Sequence, residues 1–273
     1  MAQTINTNVL SLNSQRHLSN SQADLSRSVE RLSSGLRVNS ARDDAAGLAI
    51  AARMEAQTRG ADVAMRNAND GISLAQTAEG ALNEVGNMLQ RMRELAVQSA
   101  NGTNSSSDRA NLDAEFQALD TEITRLASTT EFNGLAILDA DAGAQTFQIG
   151  ANKGDTLDIT TTVLTNVGGD ILNVTNSEKA LDDIDLAIDT VAADRADYGA
   201  ASSRFSSAIN NLQIMSENTS AARGRIMDAD FAVETANMTR ASILQQAGTA
   251  MVAQANQIPV SYTHLTLPTI CSV

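Results

Sequence analysis

A seven-residue pattern in the C-terminal half decides the fold of this chain. Residues 181–212 read LDDIDLAIDTVAADRADYGAASSRFSSAINNL. One apolar column within them contains Ile184, Val191, Tyr198, Phe205 and Leu212, and a second contains Leu181, Ile188 and Ile209. Alternating steps of three and four residues place both columns on one face of a helix. The pattern therefore predicts a long helix with an apolar stripe that must pack against a partner.

The N-terminal half carries matching columns. The first of them contains Leu18, Leu25, Val29, Leu32 and Leu36, and two later ones contain Ala75, Leu82, Leu89 and Ala96, and Ala78, Val85 and Met92. The intervening residues, roughly 139 to 178, are too few to bury both halves, so the two ends pair with each other or with other copies. We predict that segments 75–126 and 181–212 pack within one chain, and that the outermost ends find partners in neighbouring copies.

Turn formers and polar intervals predict the helix boundaries. The seam from Leu18 to Leu36 continues through Gly35, and a polar interval at 38–44 precedes a helix over about 45–99. A cluster of Asn, Gly and Ser follows, and Asp108 is the expected N-cap of the next helix. A second polar interval, Glu217 to Gly224, is expected to separate the last two helices.

The middle of the chain changes from helical to strand periodicity. Phe147, Ile149 and Ala151 alternate with polar residues, a turn sequence follows at 152–155, and Leu157 and Ile159 resume the alternation. This pattern predicts a β-hairpin. The expected fold class is mainly α, a long antiparallel helical bundle or coiled coil formed by both chain ends, with a small central β-hairpin region.

Composition favours a protein that binds other proteins. The 32 acidic and 19 basic residues give a formal net charge of −13, which repels nucleic acid and anionic membranes. The sequence has no run of 18 apolar residues, so no membrane span is predicted. The first ten residues lack the features of a cleaved signal peptide. We therefore expect protein partners, no nucleic acid and no membrane span.

The sequence offers no constellation for catalysis or cofactor binding. The two histidines, His17 and His264, are far apart in sequence, and Cys271 is the single cysteine. Asp43 with Asp44 could gather a divalent cation, as could the acidic residues at 182–185, but such runs are more often solvated faces or arginine partners. We predict no enzyme activity, no metal and no cofactor.

The outermost segments carry one narrow apolar seam each. Isolated helices of the length of 1–36 and 226–258 are marginal in water. We therefore expect them to be disordered in the monomer and to become ordered on assembly. The residues expected in these assembly seams are Leu18, Leu25, Leu32, Leu36, Ile243, Leu244 and Met251.

Several ordered blocks of sequence resemble bacterial flagellin. They are AQTINTN at 2–8, LSSGLRVN at 32–39, DDAAGL at 43–48, NDGIS at 69–73, AQTAEGAL at 75–82, DADF at 228–231, ILQQAG at 243–248 and AQANQ at 253–257. The resemblance covers residues 1–259 apart from the middle. Only about 40 residues separate the helical halves, so the chain resembles a short flagellin with little or no variable outer domain.

The resemblance implies an organisation into four parts. Residues 1–44 with 227–259 are the terminal inner-tube helices, and 45–138 with 177–226 are a helical rod domain. Residues 139–176 hold the β-hairpin and a short variable insert. Residues 260–273 depart from the family pattern, and we interpret them as an atypical, non-native tail.

The resemblance also implies function and partners. A flagellin is a structural subunit that polymerises into the extracellular flagellar filament and serves motility. It is secreted by the flagellar type III system, which accounts for the missing signal peptide. The implied partners are further copies of the chain, an export chaperone, and the filament cap and hook-junction proteins.

A receptor role is implied by one further block. QRMRELAV at 90–97 is similar to the stretch that the flagellin-sensing Toll-like receptor of animals binds, and Arg91, Leu95 and Glu115 match the contact positions. The same residues match subunit contacts, and both roles stay open. The alternatives to a filament subunit are a secreted soluble receptor ligand or adhesin, and a hook-filament junction protein.

Overall fold

The computed structural model describes residues 7–164 and 166–257. The described residues fall into two compact units. The terminal unit combines 7–55 with 220–257, and the central unit combines 56–164 with 166–219. The helices are α1 (Val9–Ser34), α2 (Ala45–Ala100), α3 (Ser106–Thr129), α4 (Val174–Met227) and α5 (Phe231–Gln257), and α2 and α4 contribute to both units. The mainly α fold class is confirmed. The predicted tail at 260–273 lies outside the described residues.

Both ends of α1 are capped by the residues that flank the helix, Asn8 and Gly35. The side chain of Asn8 accepts a hydrogen bond from the Ser11 amide at 3.0 Å, and the helix ends at Gly35, whose φ of +71° is left-handed. The amide of Gly35 still donates to the carbonyl of Arg31 at 2.9 Å. The expectation that the helix continues through Gly35 is wrong, because a glycine closes a helix in this conformation at no steric cost.

Two connectors of the terminal unit lie side by side. The amide of Arg37 donates to the carbonyl of Met227 at 2.7 Å, and the amide of Ala229 donates to the carbonyl of Gly35 at 2.9 Å. Val38 and Met227 are buried with Ala51 in a small apolar cluster, against which Leu36 packs. The connection after α1 is therefore anchored to the connection between α4 and α5.

The boundary between the last two helices differs from the prediction. Helix α4 continues through 217–224 to Met227, and the break falls at residues 228–230. Residues 217–224 are mostly polar and intermediate or exposed, which a helix surface accommodates without a break. The Asp230 carboxylate then accepts from the amides of Ala232 and Val233 at 2.9 and 3.2 Å and caps α5.

The central unit contains the large apolar core. Its fully buried residues come from α2, α3 and α4 and include Leu82, Leu89, Met92, Phe116, Ile123, Ile184, Tyr198 and Phe205. The prediction that segments 75–126 and 181–212 pack within one chain is confirmed. At Gly71 an added Cβ would lie 2.7 Å from Cζ of Phe205, so the absence of a side chain allows this close packing.

The start of α3 corrects a second boundary. Ser105, not Asp108, is the N-cap: its hydroxyl accepts from the Asp108 amide at 3.2 Å, and the Asp108 carboxylate accepts from the Ser105 amide at 3.0 Å. This reciprocal capping box satisfies two amides at once, which a cap at Asp108 alone would not. The Ser105 hydroxyl also donates to the Asp108 carboxylate at 2.7 Å, and this hydrogen bond, followed by that from the Ser105 amide, lowers the pKa of the Asp108 carboxyl.

Two short antiparallel hairpins complete the central unit. The first pairs β1 (Glu131–Phe132) with β2 (Leu135–Ala136) through Asn133 and Gly134, both with positive φ. The second pairs β3 (Ala144–Gln148) with β4 (Thr156–Thr160), with Phe147 opposite Leu157. The predicted hairpin is thus confirmed, and Phe147 meets Phe205 edge to face with ring centroids 5.5 Å apart.

Candidate assembly and recognition surfaces

Helices α1 and α5 pack antiparallel within the terminal unit. The Ser11 hydroxyl donates to the side-chain oxygen of Asn256 at 2.7 Å, near the start of α1 and the end of α5. Near the other ends, Arg31 Nη1 lies 3.0 Å from Glu234 Oε1. Within the described residues, α1 and α5 therefore pair with each other, whereas the sequence analysis expected these ends to find partners in neighbouring copies; that expectation stays a prediction for the surfaces left exposed.

The contact between them, here named the terminal seam, is built from small and polar residues. On α1 its buried and half-buried positions include Ser11, Ser14, Leu18, Ser21, Leu25, Ser28, Arg31 and Leu32. On α5 they include Glu234, Met238, Ala241, Gln245, Gly248, Val252 and Ala255. Both sets follow steps of three and four residues, as in a coiled coil. Leu18, Leu25 and Leu32 thus face α5 of the same chain, while Leu36 packs on the connector cluster.

The predicted residues of α5 lie elsewhere. Ile243, Leu244 and Met251 are 59%, 51% and 60% exposed, and Phe231 and Val233 near the start of the helix are also exposed. Helix α1 likewise exposes Val9, Leu10, Leu12 and Val29. Scattered apolar residues on a surface are ordinary, but this many on two paired helices mark a contact surface. We name the exposed residues Ile243, Leu244 and Met251 the outer α5 face.

Arg91 forms the centre of a charged cluster on the central unit. Its guanidinium donates from Nε to Glu115 of α3 at 2.9 Å and from Nη1 to Glu94 at 2.8 Å. The Glu94 carboxylate, followed by that of Glu115, raises the pKa of Arg91. All three side chains are about half exposed or more, so the cluster presents one cation between two carboxylates at the surface.

Leu95 occupies a different environment. It is 1% exposed and belongs to the core with Leu82 and Leu89. Its side chain therefore offers no surface to a partner and instead fixes the turn of α2 that carries Arg91. Sequence position alone does not separate these roles, since Arg91 and Leu95 are four residues apart and neighbours on one helix.

A second ion pair joins α2 to α4 in the central unit. Arg93 Nε donates to Asp185 Oδ1 at 2.7 Å, and this contact lowers the pKa of the Asp185 carboxyl. Both side chains are about half exposed. An exposed pair of this kind adds little stability and mainly shapes the surface.

Within 7–164 and 166–257, no three or more His, Cys, Asp or Glu side chains gather as metal ligands do. None of the described helices combines the length and apolar character that crossing a membrane requires. A buried core in one unit and exposed apolar helix faces in the other are typical of a helical protein that associates with copies of itself.

The sequence matches two family models. Residues 5–142 match the bacterial flagellin N-terminal helical region, and residues 181–265 match the bacterial flagellin C-terminal helical region. Among curated relatives, the flagellin of Halalkalibacterium halodurans is 47% identical over 268 residues, covering 96% of this chain and 98% of the relative. The chain belongs to the bacterial flagellin family.

Two further comparisons describe the short form. Flagellin A of Vibrio anguillarum is 38% identical over 373 aligned positions, with 96% of this chain and 98% of the relative covered. Because 373 exceeds the 273 residues of this chain, that relative carries residues without a counterpart here. The crystal structure of Bacillus cereus flagellin is similar with a TM-score of 0.50 and 32% identity, covering 54% of this chain and 88% of that one.

Membership of this family sets the general role of the chain. Flagellins are structural proteins of the bacterial flagellum, which lies outside the cell, and they polymerise into its filament. The chain is accordingly a structural subunit of the flagellar filament.

Proposed function

We propose that the terminal unit forms the contacts between copies in the filament, and that the outer α5 face carries the largest part of them. The observation that supports this most is the exposure of Ile243, Leu244 and Met251, each more than half accessible on a helix whose neighbouring face already packs on α1. Burying such side chains against another copy removes apolar surface from water and favours association.

The double variant Ile243→Ser with Met251→Ser tests this proposal. Both residues are exposed within the chain, so we expect the fold to persist while sedimentable polymer under salting-out conditions is lost. Leu186→Ser is the matched control, because Leu186 is 69% exposed on the central unit. Filaments of normal yield and appearance in electron micrographs of the double variant would refute the proposal.

We also propose that residues 1–44 and 227–259 become ordered on assembly, as inner-tube helices. The terminal seam supports this, since its fully buried positions are Ser11, Ser28, Glu234, Ala241 and Ala255, which remove little apolar area. Residues 45–138 with 177–226 would form the rod, and 139–176 the hairpin and insert. A soluble ligand or adhesin would not sediment as polymer under the same conditions, and a junction protein would not form long filaments.

We further propose export through the flagellar type III system, with an export chaperone, the filament cap and the hook-junction proteins as partners. The family membership supports this route. The chain should be secreted by a flagellated host strain. It should remain inside the cell in a derivative of that strain from which the export apparatus has been deleted. Secretion that persists without the apparatus would contradict the proposal.

We propose, finally, that the Arg91 cluster is recognised by the flagellin-sensing Toll-like receptor of animals. Support comes from the exposed Arg91 and Glu115, held together at 2.9 Å, on the block that resembles the receptor-binding stretch. Leu95 would act only by holding the helix beneath them.

Arg91→Ala should abolish receptor signalling while filaments still form. Arg125→Ala is the control, because Arg125 forms an exposed ion pair with Glu122 on α3 and is not part of the cluster. Full signalling by Arg91→Ala would exclude the receptor role. Loss of filaments together with signalling would instead assign the cluster to contacts between subunits.

A further inference from the structure

The terminal seam has few apolar features that fix how far α1 slides along α5. Leu18 lies over Gly248, where an added Cβ would be 3.2 Å from Leu18 Cδ1. The residues one heptad away on α5 are Ala241 and Ala255, which are also small and buried. A slip of seven residues would therefore place the leucines of α1 on similar small residues, and apolar packing alone selects the register weakly.

The buried charge of Glu234 distinguishes the native register from the one slipped by a heptad. Glu234 is 6% exposed, and its carboxylate lies 3.0 Å from the guanidinium of Arg31. A buried carboxylate that loses its partner is strongly destabilising. If α5 were displaced by one heptad so that Ser11 faced Thr249, Leu25 in place of Leu32 would lie opposite Glu234.

The residue seven positions before Arg31 has the opposite charge. Asp24 lines the same cleft between α1 and α5 as Arg31 and Glu234, and its exposed carboxylate lies 3.3 Å from the guanidinium of Arg27. In the slipped register, Glu234 would therefore meet a carboxylate where the native register supplies a guanidinium. Attraction in one register and repulsion in the next is how charged positions select a pairing.

We propose that Glu234, Arg31 and Asp24 together set the register in which α1 and α5 pair. Arg31 attracts Glu234 in the native register, and Asp24 repels it in the register slipped by one heptad. Residues Arg31 and Asp24 of α1 therefore select an α5 helix that carries a carboxylate at position 234 and pairs in the native register.

Disulfide trapping in the full chain reads the register directly. In a Cys271→Ser background, Ser11→Cys with Asn256→Cys reports the native register, since Ser11 Oγ and Asn256 Oδ1 are 2.7 Å apart in that register. Ser11→Cys with Thr249→Cys reports the slipped one. The ratio of the two intrachain disulfide yields, measured by intact mass on soluble and on sedimented protein, is the readout.

The parent protein should form the native disulfide almost alone. Glu234→Arg should lower the native-to-slipped ratio by about tenfold or more, because Arg31 then repels position 234 and Asp24 attracts it. Inverting all three charges with Asp24→Arg, Arg31→Glu and Glu234→Arg should restore the parent ratio. Glu234→Gln, which removes the charge with little change of shape, should lower it by a smaller factor.

The outcomes separate a register role from a merely structural one. Glu30→Arg, at an exposed position of α1, is the control and should leave the ratio unchanged. A Glu234→Arg variant that lowers both disulfides equally, or that leaves the ratio as in the parent, would overturn the proposal, as would an inverted triple variant that stays slipped. Disulfide trapping captures even transient pairing of α1 with α5 in the soluble chain, so a failure to polymerise would count against the proposed assembly surface and not against the register element.

Discussion

The two units bury different kinds of residue. The central unit encloses bulky side chains such as Phe116, Phe205 and Leu82 from three helices. The terminal seam fully buries only serines, alanines and Glu234, its leucines are half-buried, and Ile243 and Met251 remain exposed. Burial of apolar area is the main favourable contribution to folding. From this difference we expect the central unit to be stable by itself and the terminal unit to depend on further copies.

The sharpest way to test this comparison is to remove a large core residue. Phe205→Ala should destabilise the chain by about 3–5 kcal/mol, because it empties a fully buried site that contacts Phe147. Ile243→Ala, at an exposed position of α5, should change stability by less than about 0.5 kcal/mol. Urea unfolding followed by circular dichroism measures both. Equal losses of stability would contradict the distinction between the units.

A buried tyrosine gives the central unit a predicted alkaline sensitivity. Tyr198 is 1% exposed, and burial, followed by the nearby Asp194 carboxylate, raises its pKa to about 12. Its hydroxyl lies near Thr162, but no hydrogen bond of ordinary geometry reaches it within the part of the chain that the structure describes. Since the folded pKa exceeds the unfolded one, the contribution to stability is complete below pH 10 and is lost as the pH rises through 12.

The fall in the free energy of unfolding above pH 10 should therefore be smaller in Tyr198→Phe than in the parent, by up to about 3 kcal/mol. At pH 7 the stability of the variant should stay within about 1 kcal/mol of the parent. Unfolding midpoints at pH 7, 10 and 12 provide the test. A parent and a variant that decline alike above pH 10 would show that Tyr198 is not the source.

A smaller effect is expected at the end of α1. Gly35→Ala should cost about 1 kcal/mol, because alanine is strained at a φ of +71° even though space is open around it. Gly80→Ala is the matched control in the interior of α2, where space is also open, and it should stabilise by about 0.5–1 kcal/mol. Thermal unfolding of sedimented filaments of the two variants, in which α1 is expected to be ordered, gives the sign of each change.

The central unit was predictable because bulky residues carry a strong signal. The column from Ile184 to Leu212 contrasts with its polar neighbours, so its helix and intrachain partner follow from spacing alone. The residues of α5 that face α1, such as Ala241, Gly248 and Ala255, have no such contrast. The sequence therefore pointed to the bulkier Ile243, Leu244 and Met251, which are exposed in this chain and whose role in contacts between copies stays a prediction.

Other differences have local causes. Gly35 ends α1 because its conformation, and not its position in the heptads, decides the boundary. The interval 217–224 resembles a linker by polarity, but polar residues also suit an exposed helix surface. Leu95 and Arg91 belong to one motif yet differ in burial. Their burial depends on how α3 and α4 pack against α2, which residue spacing alone does not reveal.

Amide hydrogen exchange on dilute monomer and on sedimented filament tests the central claim most directly. The account predicts strong protection of core amides in 75–96 in both states, and protection of α1 and α5 only in the filament, since the terminal seam alone buries too little apolar area. Protection of α1 and α5 in the monomer equal to that of the central core would contradict it.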